Sequence, residues 1–382
     1  MLACYHEQWG DAAVVKVGQI PLPRPLRSGE VLVNVHASSF NPADFKIRGG
    51  QQRALLRFDW PRVFGFDFSG TVVGVGRQPS RATAIYSPNA DLSHHETGAL
   101  VVGDNVFGMV AGVRTGGMAE YLIVDMDLCA KKPPSTPHRE AASLPLVAIT
   151  AISAFRKCGL KSDVPIPNVV GPRVLITGGS GGVGTVAIQL ARRLFHASYV
   201  AVTASAASAE LCTSLGADRV VDYRAGDFVA ALRSGERFDA ILDCTGDAAR
   251  CCDLLRRDGG MVSILASPTS ECLREWICRS RAKGTMVSVV HGFLRFGGGG
   301  ILNVVTGAWG LRRRCAAQGA RFDHVIGTGD GIVMADVANL LACGQLRAVI
   351  DRSFALEDAA AALAFLETGR AKGKVVVEVV RE

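Results

Sequence analysis

The chain has 382 residues, 48% of them hydrophobic and 20% charged, which is typical of a globular protein with two or three domains. Its net charge of +7 is spread along the sequence, with one tight basic cluster at 312–314. A scattered excess of this kind fits an anionic small ligand as well as it fits a nucleic acid, and a nucleic-acid partner is not predicted. No apolar run reaches the roughly 18 residues that a membrane span needs. The eleven cysteines are dispersed along the chain, which is the pattern of reduced intracellular thiols. Because the N-terminus also lacks the features of a signal peptide, we predict a cytoplasmic protein.

Residues 1–145 are predicted to be rich in short β-strands. Residues 30–36 alternate apolar and polar side chains, the pattern of a half-buried strand. Three further strand-like runs follow at 68–76, 103–108 and 119–124. Short strands punctuated by glycine and proline are typical of a small barrel. Residues 78–99 interrupt the pattern with Pro, Ser, Asn and two histidines, and we interpret them as an exposed loop insertion.

From residue 148 the pattern changes to alternating strands and helices. The apolar run Val174–Thr177 leads into glycines and then into a helical pattern over Val183–Leu194. Further short apolar runs alternate with helical segments at 200–203, 219–221, 240–242 and 261–264. This order predicts a parallel, doubly wound sheet. Two more helices are predicted at 336–343 and 356–366, and a last strand at 373–380.

A glycine-rich turn gives the strongest functional signal. The six residues that fit the pattern G-x-G-x-x-G are Gly179, Ser180, Gly181, Gly182, Val183 and Gly184. A predicted strand precedes them and a predicted helix follows, which is the context of a Rossmann dinucleotide-binding turn. In that turn the first glycine allows a tight bend, the second allows a pyrophosphate to approach the backbone, and the third allows the helix to pack on the strand. The alternative is a glycine-rich turn without a ligand.

The end of the second strand of this series bears on the choice of nucleotide. NAD sites carry Asp or Glu there to bind the ribose 2′-hydroxyl. Here the sequence over 203–208 has Ser205 and Ser208 and no carboxylate, which leaves room for the 2′-phosphate of NADPH. Tyr223 and Arg224, after the third strand, are candidates for contacts to that phosphate, and Cys244, after the fourth, is a further cofactor-binding candidate. Alternatively, Ser205 and Ser208 are ordinary turn and helix-cap residues.

The order of segments resembles the medium-chain dehydrogenase/reductase superfamily. The stretches that carry the resemblance span nearly the whole chain and lie at 41–44, 65–70, 103–106, 117–121, 145–151, 215–218 and 373–374. Within the superfamily the chain is most similar to the zinc-free quinone oxidoreductase (zeta-crystallin) branch. The form Asn-Pro-x-Asp-x-Lys-x-Arg at Asn41–Arg48 resembles the reticulon-interacting NADPH oxidoreductase subgroup most closely.

This resemblance implies an α/β fold with two domains. A GroES-like β-barrel domain is expected over residues 1–147, a Rossmann dinucleotide-binding domain over 148–323, and a return segment over 324–382 that completes the GroES-like domain. It also implies that no metal is bound. Zinc-dependent members carry a cysteine ligand near the position of Asn41 and a His-Glu pair where Phe66 and Asp67 stand here. Tetrahedral zinc needs three or four N or S ligands, and Cys129 is the one cysteine between residues 5 and 157. His94 and His95, in the insertion, are interpreted as solvated loop residues.

The resemblance also assigns candidate roles to individual residues. Asn41 is expected near the nicotinamide ribose and the substrate. Lys46 stands where many relatives have a tyrosine; it is a candidate hydrogen-bond donor to substrate or cofactor, or else a solvated lysine. Thr150 is expected close to the nicotinamide, or else is a helix residue bonded to the preceding turn. Arg370 is expected to approach the adenosine phosphate.

The predicted function is NADPH-dependent, zinc-independent reduction of quinones or related α,β-unsaturated carbonyl compounds by hydride transfer. Two alternatives remain open: reduction of enoyl thioesters or alkenals, and a non-catalytic role with NADPH bound structurally or for regulation. The run Met286–Val290 is predicted to be a strand, and the resemblance implies that it lies at the sheet edge, where relatives pair between subunits. An exposed apolar edge favours aggregation unless a symmetric partner covers it. A homodimer is therefore predicted.

Overall fold

The computed structural model describes residues 1–51, 60–77, 99–110, 116–162, 170–265 and 300–380, with the backbone alone for 300–308. The predicted insertion at 78–99, apart from Ala99, and the predicted edge strand Met286–Val290 lie outside the described residues. The described residues form two compact units, one with residues 1–146 and 328–380 and one with residues 147–265 and 300–327. The chain therefore leaves the first unit, builds the second and returns to the first.

The first unit consists mainly of β-strands. Its described strands are β1 (Leu2–His6), β2 (Lys16–Gln19), β3 (Glu30–Phe40), β4 (Arg62–Val63), β5 (Asp67–Val75), β6 (Asn105–Met109), β7 (Tyr121–Asp125), β8 (Cys129–Lys131), β15 (Ile350–Ala355) and β16 (Lys374–Glu378). One sheet has the order β15-β16-β3-β5-β6-β8, with β7 also paired to β3, and another has the order β2-β1-β4. The β15–β16 pairing is parallel and the others are antiparallel. Its described α-helices are α1 (Pro42–Arg48), α2 (His138–Ala141), α9 (Gly331–Ala342) and α10 (Ala359–Glu367).

Strand β3 organises the larger sheet, because it pairs with β5, β7 and β16. Its first part was predicted from period-two alternation, and Val31, Val33 and Val35 are indeed fully buried. The strand continues four residues beyond the predicted end at 36. Residues 37–40 are buried on both faces of the strand, so the alternation disappears there and the sequence pattern does not reveal the extension.

The second unit is a six-stranded parallel sheet with helices. Its described strands are β9 (Arg173–Ile176), β10 (Tyr199–Ala204), β11 (Arg219–Asp222), β12 (Phe238–Asp243), β13 (Leu255–Ser263) and β14 (Arg321–His324). Its described helices are α3 (Pro145–Lys157, which begins in the first unit), α4 (Gly182–Arg193), α5 (Ala209–Ser214), α6 (Phe228–Arg233), α7 (Ala248–Cys251) and α8 (Gly300–Ala317). The strand order is β11-β10-β9-β12-β13-β14, and every pair is parallel. Counted from β9, this is the doubly wound order 3-2-1-4-5-6, which confirms the predicted fold class.

Each unit has its own hydrophobic core. Phe228, Phe238 and Phe322 pack in the second unit, while Phe40 and Phe64 pack in the first. Full burial of one such side chain contributes about 1.5–3 kcal/mol, so each unit has a substantial apolar driving force of its own. Within the described ranges, no helix is long and apolar enough to cross a membrane.

Candidate functional site

The glycine-rich turn joins β9 to α4 at the carboxyl edge of the parallel sheet. Gly181 is the N-cap of α4. Gly178 has a φ of +70°, in the left-handed region that glycine adopts without strain. The N–H of Gly178 donates to Oγ1 of Thr203 (3.0 Å), and the N–H of Gly179 donates to the Thr203 carbonyl (2.9 Å). These two bonds fix the turn against the end of β10.

The three glycines of the G-x-G-x-x-G pattern differ in their steric surroundings. A Cβ atom on Gly179 would lie 2.8 Å from Cβ of Val202, and one on Gly184 would lie 2.2 Å from the Gly178 carbonyl oxygen. Packing within the chain therefore requires glycine at both positions. A Cβ on Gly181 would come no closer than 3.4 Å to any atom of the described residues, and the φ of −78° at this position suits any residue. Glycine at 181 is thus not required by the fold, but it allows a ligand to approach the backbone closely.

Helix α4 directs its N-terminus at this turn. The helix has 12 residues, its glycine N-cap offers no side chain to accept from the first-turn N–H groups, and the first turn holds no acidic residue. Ser180, Gly181, Gly182 and Val183 are all partly exposed here. Because the aligned peptide dipoles place about half a positive charge at a helix N-terminus, this end of α4 is suited to bind a phosphate group.

Asp243, which is not among the predicted site residues, connects three strand ends beside the turn. Its fully buried carboxylate accepts hydrogen bonds from Oγ1 of Thr177 (2.9 Å) at the end of β9 and from Oγ of Ser263 (2.8 Å) at the end of β13. It also accepts from four consecutive backbone N–H groups, those of residues 245–248, at 2.9–3.2 Å. The ends of β9, β12 and β13 are therefore held together by one side chain. The sequence signal was an aspartate at the end of an apolar strand with Gly246 close behind it.

Beyond β10, the two predicted serines differ in exposure. Ser205 is partly exposed and Ser208 is buried, and their hydroxyl oxygens are 3.4 Å apart. Asp222, at the end of β11, accepts a hydrogen bond from the backbone N–H of Ala206 (3.1 Å). The carboxylate that is missing at the end of β10 is thus supplied to the same turn by the neighbouring strand. The sequence of β10 alone does not reveal this carboxylate, because it belongs to a different strand whose carboxyl end meets that of β10 only in the folded sheet.

The turn after β11 holds the other two residues predicted to contact a phosphate. Tyr223 is half exposed, and the guanidinium carbon of Arg224 lies 5.5 Å from the centre of its ring. The backbone N–H of Arg224 donates to Oδ1 of Asp222 (2.8 Å). A phenol, a guanidinium and a carboxylate therefore lie together in one turn.

Two other predicted cofactor residues are in the second unit. The N–H of Cys244 donates to Oγ1 of Thr177 (2.9 Å), which places Cys244 directly beside the end of β9. Burial, and then the nearby Asp243 carboxylate, raise the pKa of the Cys244 thiol, which therefore stays neutral at physiological pH. Thr150 is buried in α3.

In the first unit, Asn41 lies in a buried network with two charged residues. Its Nδ2 donates to Oδ2 of Asp67 (2.8 Å), and its Oδ1 accepts from Nζ of Lys374 (2.5 Å). Lys374 also donates to Asp67 directly (3.2 Å), and all three residues are at most 4% exposed. The bonds to Asp67 and Lys374 fix the orientation of the Asn41 amide, with its nitrogen facing the carboxylate and its oxygen facing the ammonium. Asp67 and Lys374 were not predicted as site residues; each sits in a motif quoted for the family resemblance, but nothing in either motif shows that the two side chains meet.

Helix α1, which follows Asn41, carries the other predicted catalytic residue. Asp44 accepts from the backbone N–H of Asn41 (2.9 Å) and of Gly65 (3.0 Å), which anchors the start of the helix. Burial raises the pKa of Asp44 to about 6, although the Arg62 charge opposes the shift. Lys46, two residues after Asp44, is half-buried, and its ammonium makes no hydrogen bond to the described part of the chain.

Arg370, predicted to approach a phosphate, is also in the first unit. It lies in the turn between α10 and β16 and is exposed. Its backbone N–H donates to Oγ1 of Thr368 (3.3 Å), which shapes that turn. Among the described residues, no group of three or more His, Cys, Asp or Glu side chains is arranged to hold a metal ion.

Comparison with known families gives one match in each half of the chain. Residues 27–134 match a family described as "Alcohol dehydrogenase GroES-like domain", and residues 215–377 match one described as "Zinc-binding dehydrogenase". The first match covers most of the strands of the larger sheet in the first unit, which confirms the GroES-like part of the predicted fold.

Individual relatives align along nearly the whole chain. The chain is 31% identical over 398 residues to "NAD(P)H oxidoreductase RTN4IP1, mitochondrial" from Bos taurus, covering 100% of this chain and 89% of the relative. It is 29% identical over 385 residues to "2-methylene-furan-3-one reductase" from Solanum lycopersicum, covering 99% and 79%. Among solved structures, the quinone oxidoreductase from Coxiella burnetii is similar with a TM-score of 0.73 at 26% identity, covering 100% of this chain and 99% of that one.

The steric difference between the glycines predicts different effects on stability. Gly184→Ala should lower the free energy of unfolding by about 1–3 kcal/mol, because its Cβ would overlap the Gly178 carbonyl. Gly181→Ala, the matched control, should unfold like the wild type. Urea denaturation followed by tryptophan fluorescence and circular dichroism measures both, and equal stabilities for the two variants would contradict this account of the turn.

Proposed function

Because the chain belongs to the medium-chain dehydrogenase/reductase superfamily, in the branch of the RTN4IP1 NAD(P)H oxidoreductases and quinone oxidoreductases, we propose that it uses NADPH to reduce quinones or related α,β-unsaturated carbonyl compounds without a metal ion. The observation that carries the proposal is the turn before α4. At this turn, glycine at position 181 leaves open the space that a side chain would fill, although packing does not require glycine there. The turn also lies at the N-terminus of α4, which has no side-chain cap, and at the point where the strand order of the sheet reverses. That is where doubly wound sheets bind dinucleotides.

The preference for NADPH is supported by the turns after β10 and β11. The pyrophosphate would lie at the N-terminus of α4, and the adenosine half on the side of β10. Ser205, Tyr223 and Arg224 offer two hydroxyls and a guanidinium for a 2′-phosphate there. The one carboxylate in this turn, Asp222, already accepts hydrogen bonds from two backbone N–H groups. Those bonds offset part of its charge, so a phosphate nearby is repelled less than a free carboxylate would repel it.

A catalytic zinc ion does not fit the residues of the first unit. Phe66 presents a hydrocarbon ring where zinc-dependent relatives are expected to have histidine. The Asp67 carboxylate is already occupied by Asn41, Lys374 and the hydroxyl of Ser39 (2.8 Å). A metal ion at Asp67 would also lie beside the Lys374 ammonium and be repelled by it. These observations support a metal-independent reaction.

The remaining chemistry requires hydrogen bonds to a carbonyl oxygen. Bound NADPH would supply a hydride from its nicotinamide ring. As the hydride reaches a conjugated carbonyl compound, negative charge develops on the oxygen, and preorganised donors stabilise it. Asn41 is oriented by Lys374 and Asp67, so the second N–H of its amide is the group it has left to donate. The Lys46 ammonium is a second candidate donor.

The substrate class is supported by two names among the similar proteins. The structure from Coxiella burnetii is that of a quinone oxidoreductase, and the relative from Solanum lycopersicum is named for reducing a methylene-furanone, a conjugated ketone. Quinones and conjugated ketones share an oxygen that becomes negative when hydride adds to the conjugated system. The same donors therefore serve both.

The compartment and the assembly of the chain stay predictions. The relative from Bos taurus is named as mitochondrial, while a cytoplasmic location is what the composition favours. The homodimer was predicted from residues 286–290, outside the described residues.

The first expectation is catalytic activity that resists chelation. Purified protein should oxidise NADPH in the presence of quinones or conjugated ketones, at the same rate with or without a strong chelator, because its site uses side chains in place of a metal. A panel of quinones, enones, alkenals and enoyl thioesters, followed at the NADPH absorbance, identifies the substrate class. Turnover of enoyl thioesters alone would replace the proposed substrate. NADPH binding without turnover of any compound would indicate a non-catalytic role, and activity lost on removal of stoichiometric zinc would refute metal independence.

The second expectation concerns the 2′-phosphate. Ser205→Asp should weaken NADPH binding about tenfold or more while leaving NADH binding nearly unchanged, because like charges repel across the turn. Ser205→Asn, which has the same shape without the charge, is the matched control. Fluorescence titration with both cofactors gives the dissociation constants. Wild-type protein that binds NADH as tightly as NADPH would contradict the preference.

The third expectation separates the two candidate donors. Asn41→Ala should raise the barrier to turnover by about 2.7–4 kcal/mol, the cost of losing one oxyanion donor, and Lys46→Ala should raise it less because Lys46 is partly solvated. Neither should weaken NADPH binding as much as Gly181→Val, which places a side chain where the pyrophosphate would lie. Because Asn41 also bonds two buried charges, the melting temperature of each variant is measured alongside turnover. Full turnover in both alanine variants would show that these residues are scaffold.

A further inference from the structure

His324 ends β14, at the edge of the parallel sheet. It is 5% exposed, and its Nδ1 has no hydrogen-bond partner in the described part of the chain. Buried polar atoms are nearly always hydrogen-bonded, because an unpaired one destabilises the folded state. Building on the proposed function, we propose that Nδ1 of His324 accepts a hydrogen bond from the carboxamide N–H of bound NADPH and thereby sets the orientation of the nicotinamide ring.

The ring of His324 is neutral. Burial lowers the pKa of His324 to about 4, with Lys157 adding to the shift and Asp323 and a backbone hydrogen bond to Ser263 opposing it. The imidazole is therefore neutral at physiological pH, with one N–H and one lone pair. Of the two tautomers of a neutral imidazole, we assign to His324 the one with its proton on Nε2 and its lone pair on Nδ1, so that the unpaired nitrogen is an acceptor.

The position of His324 selects the nicotinamide end of the cofactor. A line of polar side chains runs along the carboxyl edge from Thr177, directly after β9, through Asp243 (β12) to Ser263 (β13). Ser263 is in register with His324 (β14). With strands about 4.8 Å apart, β14 lies roughly 14 Å from β9 and its glycine turn. With the adenosine half on the β10 side, the nicotinamide half extends along β12–β14. The ribose is bonded directly to the pyrophosphate, so the group that reaches as far as β14 is the carboxamide, whose nitrogen is a hydrogen-bond donor.

The test removes the N–H donor from the cofactor and, separately, the Nδ1 acceptor from the protein. In the reduced 3-acetylpyridine analogue of NADPH, a methyl group replaces the carboxamide nitrogen, so it has no N–H to donate. Wild-type protein should bind NADPH about five to thirty times more tightly than the analogue. His324→Phe, which keeps a planar ring without the acceptor, should lose most of this discrimination, and His324→Asn, whose amide oxygen takes the place of Nδ1, should recover part of it. Comparison between variants cancels the intrinsic difference between the two cofactors.

Two controls make the result specific. Ser205→Asp should weaken NADPH and the analogue equally and leave their ratio unchanged, because it acts on the adenosine half. In wild-type protein labelled with ¹⁵N-histidine, the Nδ1 resonance of His324 should shift when NADPH binds but not when 2′-phospho-ADP-ribose binds, a readout that needs no substitution at His324. The same discrimination in wild type and His324→Phe, or a resonance that ignores NADPH, would overturn this inference while the proposed function stands. Absence of NADPH binding in every form would overturn the proposed function and this inference together.

Discussion

The carboxyl edge of the parallel sheet depends on a single buried carboxylate. In a doubly wound sheet the ligand crevice opens where the strand order reverses, here between β9 and β12. Asp243 bridges that gap through Thr177, reaches β13 through Ser263, and holds the turn after β12 by four backbone N–H groups. A buried charge that loses its partners costs several kcal/mol, so none of these segments is free to move away from it. Because both oxygens are bonded within the chain, Asp243 shapes the crevice without needing to touch a ligand.

The first unit uses the same principle with a pair of opposite charges. Asp67 and Lys374 are both buried and satisfy one another, with Asn41 bonded to each. A buried ion pair contributes little net stability compared with apolar residues of the same volume, yet removing one partner costs about 3–5 kcal/mol. Such a pair is therefore better understood as fixing a geometry than as strengthening the fold. What it fixes here is the amide of Asn41.

Local sequence patterns were enough to predict what depends on neighbours along the chain. The glycine turn, the alternating strands and helices of the second unit and the first half of β3 each follow from spacing or periodicity. Other residues were not predicted as site residues, because their positions matter only once strands that are distant in sequence lie side by side. These residues are Asp67, Asp222, Asp243, His324 and Lys374. A lysine at the start of a C-terminal strand carries no sign that it meets an aspartate of β5, and a histidine at a strand end carries no sign that one of its nitrogens is unbonded. Strand order and register supply that information, and these appear only when the chain is folded.

The return of the chain to its first unit has a consequence for how the protein is made. Nζ of Lys374 donates to the carbonyl of Phe40, 334 positions earlier. During synthesis, β3 and β5 leave the ribosome long before β16, so the edge of β3 that β16 covers stays open while the whole second unit is translated. Unpaired strand edges are templates for association with other chains. Lys374, the cation that pairs with the buried Asp67 within the described residues, arrives only with this strand. A nascent or truncated chain that ends before residue 374 therefore combines an open edge with an Asp67 that lacks this partner, which makes the final strand the step that protects the protein from aggregation.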